Sequence, residues 1–98
     1  MSDYVYEMED GRIVKPVHAD TIRALASEVV SARNKFPGNE LLLAALTEEV
    51  GELARALLQR QGKDRVRKEA LQVACVSLRI YEEGDATFAA VTDAQAKP

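Results

Sequence analysis

Residues 41–58 read LLLAALTEEVGELARALL and carry the strongest structural signal in the chain. At about 100° per residue, their large apolar side chains form one helical stripe. The stripe comprises Leu42, Leu46, Val50, Leu53 and Leu57. Glu49 lies at the edge of this stripe, beside Ala45, and Glu52 lies one step further round. The pattern predicts an amphipathic helix with two carboxylates where the helix meets its neighbour.

The flanking segments predict two further helices. Helices are expected over residues 21–35, over 40–60 and from just after Asp64 to about Glu83, because apolar residues recur there at helical spacing. Each is preceded by a residue that favours the N-cap, namely Asp20, Asn39 and Asp64. The loop 61–63 is short, so the second and third helices should form an antiparallel hairpin. The expected fold is an all-α antiparallel bundle of three main helices.

The two ends of the chain differ from the helical region, which is expected to span residues 18–91. In the extension 1–17, the pair Asp10-Gly11 separates two β-prone runs and predicts a short hairpin. After the third helix, Asp85 is expected to cap a short helix that continues to Ala90. The small, polar residues 92–98 predict a frayed tail.

Composition excludes several classes of function. The 98 residues suffice for about one domain, and a net charge of −3 argues against direct nucleic-acid binding. No apolar run approaches the roughly 18 residues of a membrane span. One cysteine, Cys75, and one histidine, His18, leave no internal disulfide and no zinc site of the usual kind. We expect a cytoplasmic protein whose chemistry comes from carboxylates, amides and basic groups.

The third helix contains a carboxylate among apolar positions. Its stripe comprises Val66, Val73, Val76 and Ile80, and Glu69 falls inside it. Burying a lone carboxylate costs several kcal/mol unless it is paired or bound to a metal. The hairpin would bring Glu49, Glu52 and Glu69 together, and clustered anions need a cation. Oxygen ligands without His or Cys favour Mg²⁺, with Mn²⁺ as the alternative.

A purely structural interpretation stays open beside the metal site. Acid-rich amphipathic helices are common, and most such strings are solvated faces. In that case Glu69 would pair with an arginine such as Arg65 or Arg79, and the chain would be a helical oligomer without chemistry.

The acidic residues form a recognisable motif. Glu48-Glu49-x-x-Glu52, then 16 residues, then Glu69 resembles the MazG-like family of all-α nucleoside triphosphate pyrophosphohydrolases. That family carries Glu-Glu-x-x-Glu followed by Glu-x-x-Asp. The resemblance spans about residues 20–84 and is closest in character to short phage-type and bacterial members. The position of the family's last Asp is occupied here by Gln72.

The resemblance implies an activity. A (deoxy)nucleoside triphosphate would be hydrolysed to the monophosphate and pyrophosphate, with Mg²⁺ or Mn²⁺, in a house-cleaning or nucleotide-pool role. Glu49, Glu52, Glu69 and Gln72 would hold the metal, and Glu48 would complete the catalytic set by orienting water or supporting the ligands. Because Gln72 lacks the negative charge of Asp, the alternative is a catalytically weakened nucleotide-binding or helical interaction module.

Further residues are candidates for the substrate and for assembly. Lys35 and Asn39 match a loop that approaches the nucleotide in the family, and Arg55 and Arg79 are candidate phosphate ligands. The second and third helices are apolar on more than one side, so we expect the first helix to cover one side and a second subunit to cover the other. This predicts a homodimer with a four-helix-type core, or a homotetramer built from it.

Overall fold

The computed structural model describes residues 6–88. It contains two short strands, three helices and a 3₁₀ turn: β1 (Tyr6–Glu7), β2 (Ile13–Val14), α1 (Ala19–Lys35), α2 (Leu42–Leu58), α3 (Lys63–Glu83) and Ala86–Phe88. The predicted all-α bundle is confirmed. α1 runs parallel to α3, because Glu28 contacts Gln72 near the middle and Arg33 contacts Glu82 near the end. α2 runs antiparallel to α3, to which it is joined by the loop 59–62.

The central element of the bundle is α3. Within the described residues, α1 and α2 both pack on α3 and make no close backbone approach to each other. The fully buried apolar side chains are few, namely Val29, Leu42, Ala56 and Cys75. α1 and α2 of one chain therefore cover two sides of α3, and coverage by a second subunit stays a prediction. No helix in residues 6–88 is long and apolar enough to cross a membrane.

The packed face of α2 differs from the predicted leucine stripe. Leu42 and Ala56 are buried, whereas Val50 is 47% exposed and Leu57 is 56% exposed. At about 100° per residue, Glu49 lies between Leu42 and Ala56 on the helix surface. The face that meets α3 is thus centred near Glu49, where small side chains permit close approach. The prediction that the whole stripe faces the core of the chain was wrong.

The N-terminus of α2 is capped from the other end of the sequence. Leu41 occupies the N-cap position with a left-handed backbone (φ 59°), and no side chain of its own segment caps the helix. Instead, Asp85 Oδ2 accepts a 2.7 Å hydrogen bond from the Leu43 N–H, and Thr87 Oγ1 accepts a 2.8 Å bond from the Leu41 N–H. The bond from the Leu43 N–H lowers the pKa of Asp85. The prediction that Asn39 is the cap was wrong.

The other helix ends also shift by a few residues. α1 begins at Ala19 with His18 at its N-cap position, and α3 begins at Lys63 with Gly62 at that position. Asp20 and Asp64 therefore lie in first turns, where an acid favours the positive end of the helix dipole. α2 ends at Leu58 because the chain turns into a left-handed conformation at Arg60 (φ 52°).

The N-terminal hairpin forms, with residues 8–12 between its two strands. Glu7 pairs with Ile13 in antiparallel register, and the Met8 N–H donates to the Arg12 carbonyl at 2.7 Å. Gly11 closes the loop at φ 85°, a conformation that suits glycine. The β-prone residues before Tyr6, the expected end of the last helix at Ala90 and the tail 92–98 lie outside the described residues. Asp85 does cap the 3₁₀ turn Ala86–Phe88, because its Oδ1 accepts a 2.9 Å hydrogen bond from the Thr87 N–H.

Candidate metal site

Three glutamates meet where α2 packs on α3. One carboxylate oxygen from each of Glu49, Glu52 and Glu69 lies within 4.8 Å of the other two. Glu49 and Glu52 are three residues apart, so they are neighbours on one face of α2. The short connection to α3 then brings Glu69, in the second turn of that helix, against them. The convergence predicted for these three residues is confirmed, and we call them the glutamate cluster.

The cluster contains carboxylate oxygens that lack a partner. Glu69 is only 3% exposed. The Oε2 atoms of Glu49 and Glu69 are buried and accept no hydrogen bond in the described part of the chain. Glu69 Oε1 lies 3.1 Å from the Arg65 Nε, one helical turn away. A buried oxygen without a donor costs roughly 1–3 kcal/mol, so two such atoms are suited to accept a positive ligand.

The mutual repulsion of the cluster shifts the pKa values of two of its members. Burial, and then the charges of Glu52 and Glu69, raise the pKa of Glu49. The approach of the Glu69 carboxylate, and then burial, raise the pKa of Glu52. A bound divalent cation would oppose both shifts, because it favours the charged form of a neighbouring carboxylate.

The donor set fits a hard divalent cation. The three side chains offer only oxygen, and three oxygens within 4.8 Å of one another can share one ion. The unpartnered Oε2 atoms provide two ligand positions without breaking any hydrogen bond. Mg²⁺ and Mn²⁺ accept this set, whereas zinc sites usually include nitrogen or sulfur ligands.

Gln72 contacts α1 and is not paired with the cluster. Its Nε2 donates a 2.8 Å hydrogen bond to Glu28 Oε1 across 44 residues of sequence. Gln72 follows Glu69 by three residues, so it lies on an adjoining part of the α3 surface. The side chain predicted as a metal ligand therefore lies beside the cluster, with its amide nitrogen bonded to Glu28 on α1.

The remaining predicted site residues are not all gathered at the cluster. Glu48 is exposed next to it, and its charge contributes to the raised pKa of Glu49 and of Glu52. Arg55 is exposed near the end of α2, and Lys35 is exposed at the end of α1. Asn39 donates from Nδ2 to the Glu83 carbonyl at 2.6 Å, which ties its loop to α3.

Arg79 serves a different part of the fold. It is 3% exposed, and its Nη2 donates to the carbonyls of Phe36 at 3.2 Å and Gly38 at 2.6 Å. Its Nε donates to Glu83 at 3.2 Å, and Arg33 donates to the same carboxylate at 2.7 Å. These two arginines lower the pKa of Glu83. Arg79 lies about 15 Å along α3 from Glu69 and would lose these bonds on turning toward a phosphate.

One site-related residue, Glu28, was not predicted from the sequence. It lies on α1, far from the acidic motif in sequence, and no local pattern connects it with Gln72. Lys68 belongs to the run of basic residues near the α2–α3 loop that could meet a triphosphate, and its charge lowers the pKa of Glu49 in opposition to the neighbouring acids.

Comparisons with protein-family models, with curated proteins and with solved structures find no match for this chain. Membership of the MazG-like family therefore stays a prediction from the spacing of Glu48, Glu49, Glu52, Glu69 and Gln72. The all-α architecture agrees with the fold that this resemblance implies, and many unrelated proteins share such helical bundles.

Proposed function

We propose that the chain is a metal-dependent nucleoside triphosphate pyrophosphohydrolase of the MazG-like type. The observation that carries this proposal is the glutamate cluster with its two buried, unpartnered Oε2 atoms. A site made only of carboxylates suits chemistry on phosphates, because the divalent cation that it would hold would supply positive charge against the negative charge that develops on the substrate. The products would be a (deoxy)nucleoside monophosphate and pyrophosphate, and the expected location is the cytoplasm.

Each residue of the site would have a distinct task. Glu49, Glu52 and Glu69 would hold the cation, and Gln72 would be the neutral ligand beside them. Exposed Glu48 adjoins the cluster and would accept a hydrogen bond from the attacking water, which orients that water. The nearby cations Arg65 and Lys68 would offset part of the substrate's negative charge.

Pyrophosphate release from a panel of ribo- and deoxynucleoside triphosphates, with Mg²⁺ or Mn²⁺, tests the proposal directly. We expect metal-dependent release by the wild-type protein and loss of release in Glu52→Ala and in Glu69→Gln. Glu40→Gln is a matched control, because Glu40 is an exposed glutamate just before α2. Undiminished turnover in both cluster variants would refute the assignment.

The second candidate is a module that binds a nucleotide with little or no hydrolysis. The amide at position 72, engaged by Glu28, is the observation that favours it. The third candidate is a structural bundle, favoured by the pair between Arg65 and Glu69. Added Mg²⁺ separates the last candidate from the others: a cation at 100 times its Kd stabilises a binding protein by about 2.7 kcal/mol, whereas a structural bundle would not respond.

We also infer that two copies of the chain associate. Leu43, Val50 and Leu57 recur every seven residues on α2, and each is about half exposed. A stripe with this period is suited to packing against another helix. A second copy would cover the stripe and complete a four-helix-type core, as a homodimer or as part of a homotetramer.

A further inference from the structure

Position 72 sits beside the glutamate cluster and bears no charge. A divalent cation site generally binds more tightly as its ligands carry more negative charge. Arg65 already offsets part of the charge on Glu69 at 3.1 Å. The cluster would therefore benefit from another anion close to Gln72, and one is present on α1.

The direction of the hydrogen bond fixes the orientation of the Gln72 amide. A carboxylate can only accept, so the amide group that faces Glu28 Oε1 at 2.8 Å must be the NH₂ group. The carbonyl oxygen of the same amide is therefore not the atom that bonds to Glu28. That oxygen is the part of a glutamine that Mg²⁺ or Mn²⁺ accepts as a ligand.

The helix geometry places this amide between α1 and the cluster. At about 100° per residue, Gln72 lies about 60° round α3 from Glu69. Cys75 follows on the same side and is buried between the helices. Burial raises the pKa of the Cys75 thiol, and the charges of Glu28 on α1 and Glu49 on α2 add to this effect against the charges of Arg79 and Arg33.

We propose that Glu28 is a positioning residue for the metal site: it holds the Gln72 amide with its carbonyl oxygen toward the glutamate cluster and supplies from α1 the charge that position 72 lacks. This inference rests on the proposed metal-binding function. It makes α1 part of the site, although the acidic motif lies entirely on α2 and α3. Glu28 on α1 and Gln72 on α3 would then together take the place of the single acid with which the family motif ends on α3.

Calorimetric titration of the metal-free protein with Mn²⁺ tests the role of Glu28 without relying on activity. Glu28→Gln keeps the size of the side chain and an acceptor for Gln72 but removes the charge. We expect Mn²⁺ affinity to fall by about tenfold, as for other groups that support metal ligands. The melting temperature of the metal-free variant should stay close to that of wild type. Glu40→Gln is the control for loss of one exposed charge and should bind Mn²⁺ like the wild type.

An exchange of the two side chains provides a second test. In the double variant Glu28→Gln, Gln72→Glu, the amide lies on α1 and the carboxylate lies on α3, with the hydrogen bond reversed. We expect its Mn²⁺ affinity to equal or exceed that of the wild type. Because the pair is preserved, this variant also serves if Glu28→Gln alone does not fold. A double variant that binds Mn²⁺ more weakly than the wild type would overturn the role of Glu28.

The outcomes separate this inference from the proposed function. Wild-type affinity in Glu28→Gln, together with loss of binding in Glu69→Gln, would refute the role of Glu28 and leave the metal site standing. Absence of Mn²⁺ binding by the wild-type protein at millimolar concentration would refute the metal site itself, and the role of Glu28 with it.

Discussion

Arg65 Nε lies 3.1 Å from Glu69 Oε1, while the other oxygen of the same buried carboxylate has no hydrogen-bond partner among the described residues. The arginine approaches from one helical turn before Glu69, and half of its side chain remains exposed. Within residues 6–88, the protein thus balances one oxygen of Glu69 with a cation and leaves the other oxygen unbalanced.

Removing Arg65 should separate stability from metal binding. In Arg65→Ala, Glu69 loses its only cationic partner among the described residues, so the free energy of unfolding without metal should fall by about 1–2 kcal/mol. The Mg²⁺-induced rise in melting temperature should be larger than in the wild type, because the ion then balances more uncompensated charge. Thermal melts with and without Mg²⁺ measure both effects. Arg65→Lys retains the charge, so its melting temperature should lie between those of Arg65→Ala and the wild type. Equal melting temperatures for Arg65→Ala and the wild type would contradict the expectation.

Glu49→Gln should stabilise the metal-free protein at neutral pH. The pKa of Glu49 is raised in the folded state, so the charged carboxylate opposes folding. This penalty is absent below the ordinary pKa of 4.5 and grows as pH rises through the higher folded pKa. The gain at pH 7 should be at most about 1 kcal/mol, because solvent screens the partly exposed neighbours.

Denaturant titrations of Glu49→Gln and wild type at pH 7 and near pH 4 measure this difference. The stabilisation should disappear at the lower pH, and the variant should also lose its response to Mg²⁺. Glu40→Gln, with the same chemical change at an exposed position, should show neither effect. Destabilisation of Glu49→Gln at pH 7 would mean that the Glu49 charge is already balanced within the protein.

Asp85→Ala should loosen the start of α2. The variant loses the acceptor for the Leu43 N–H and the one for the Thr87 N–H, and the loss of a helix cap should lower the melting temperature by roughly 5 °C. Because the folded pKa of Asp85 is lowered, its stabilisation is present above the ordinary value of 3.8 and is lost as pH falls below it.

The loss of unfolding free energy at acid pH therefore reports on this cap. This loss should be smaller in Asp85→Ala than in the wild type. Part of it should remain, because the pKa of Glu83 is also lowered. Asp85→Asn keeps an acceptor oxygen and should recover part of the loss at pH 7. Hydrogen exchange at the Leu43 amide measures the effect locally; unchanged protection in Asp85→Ala would show that the cap contributes nothing.

Val50→Glu should prevent association of two copies. Val50 is 47% exposed within one chain. It lies at the centre of the exposed stripe of Leu43, Val50 and Leu57 on α2. A carboxylate there would be desolvated in a dimer but remain hydrated in a monomer, so the monomer is favoured. Light scattering at micromolar concentration should give a dimer or tetramer for the wild type and a monomer for the variant. A monomeric mass for the wild-type protein would contradict the proposed assembly.

The apolar spacing in the sequence predicted the three helices well but their ends less well. Helical periodicity is a local property, so α1, α2 and α3 could be predicted from apolar spacing within each segment. The cap of α2 could not, because Asp85 lies 42 residues from the Leu43 amide that it serves. The convergence of Glu49, Glu52 and Glu69 was predictable, because two share a helical face and a short hairpin brings in the third.

The sequence by itself determined three amphipathic helices, the antiparallel hairpin of α2 and α3, and a cluster of carboxylates between them. These features depend on spacing along the chain and on a short loop. Only the tertiary structure decided that the face of α2 near Glu49 meets α3, that Arg65 pairs with Glu69, and that Glu28 binds Gln72 across 44 residues. Such contacts depend on the rotation of each helix about its axis, which is set by how all three helices pack together.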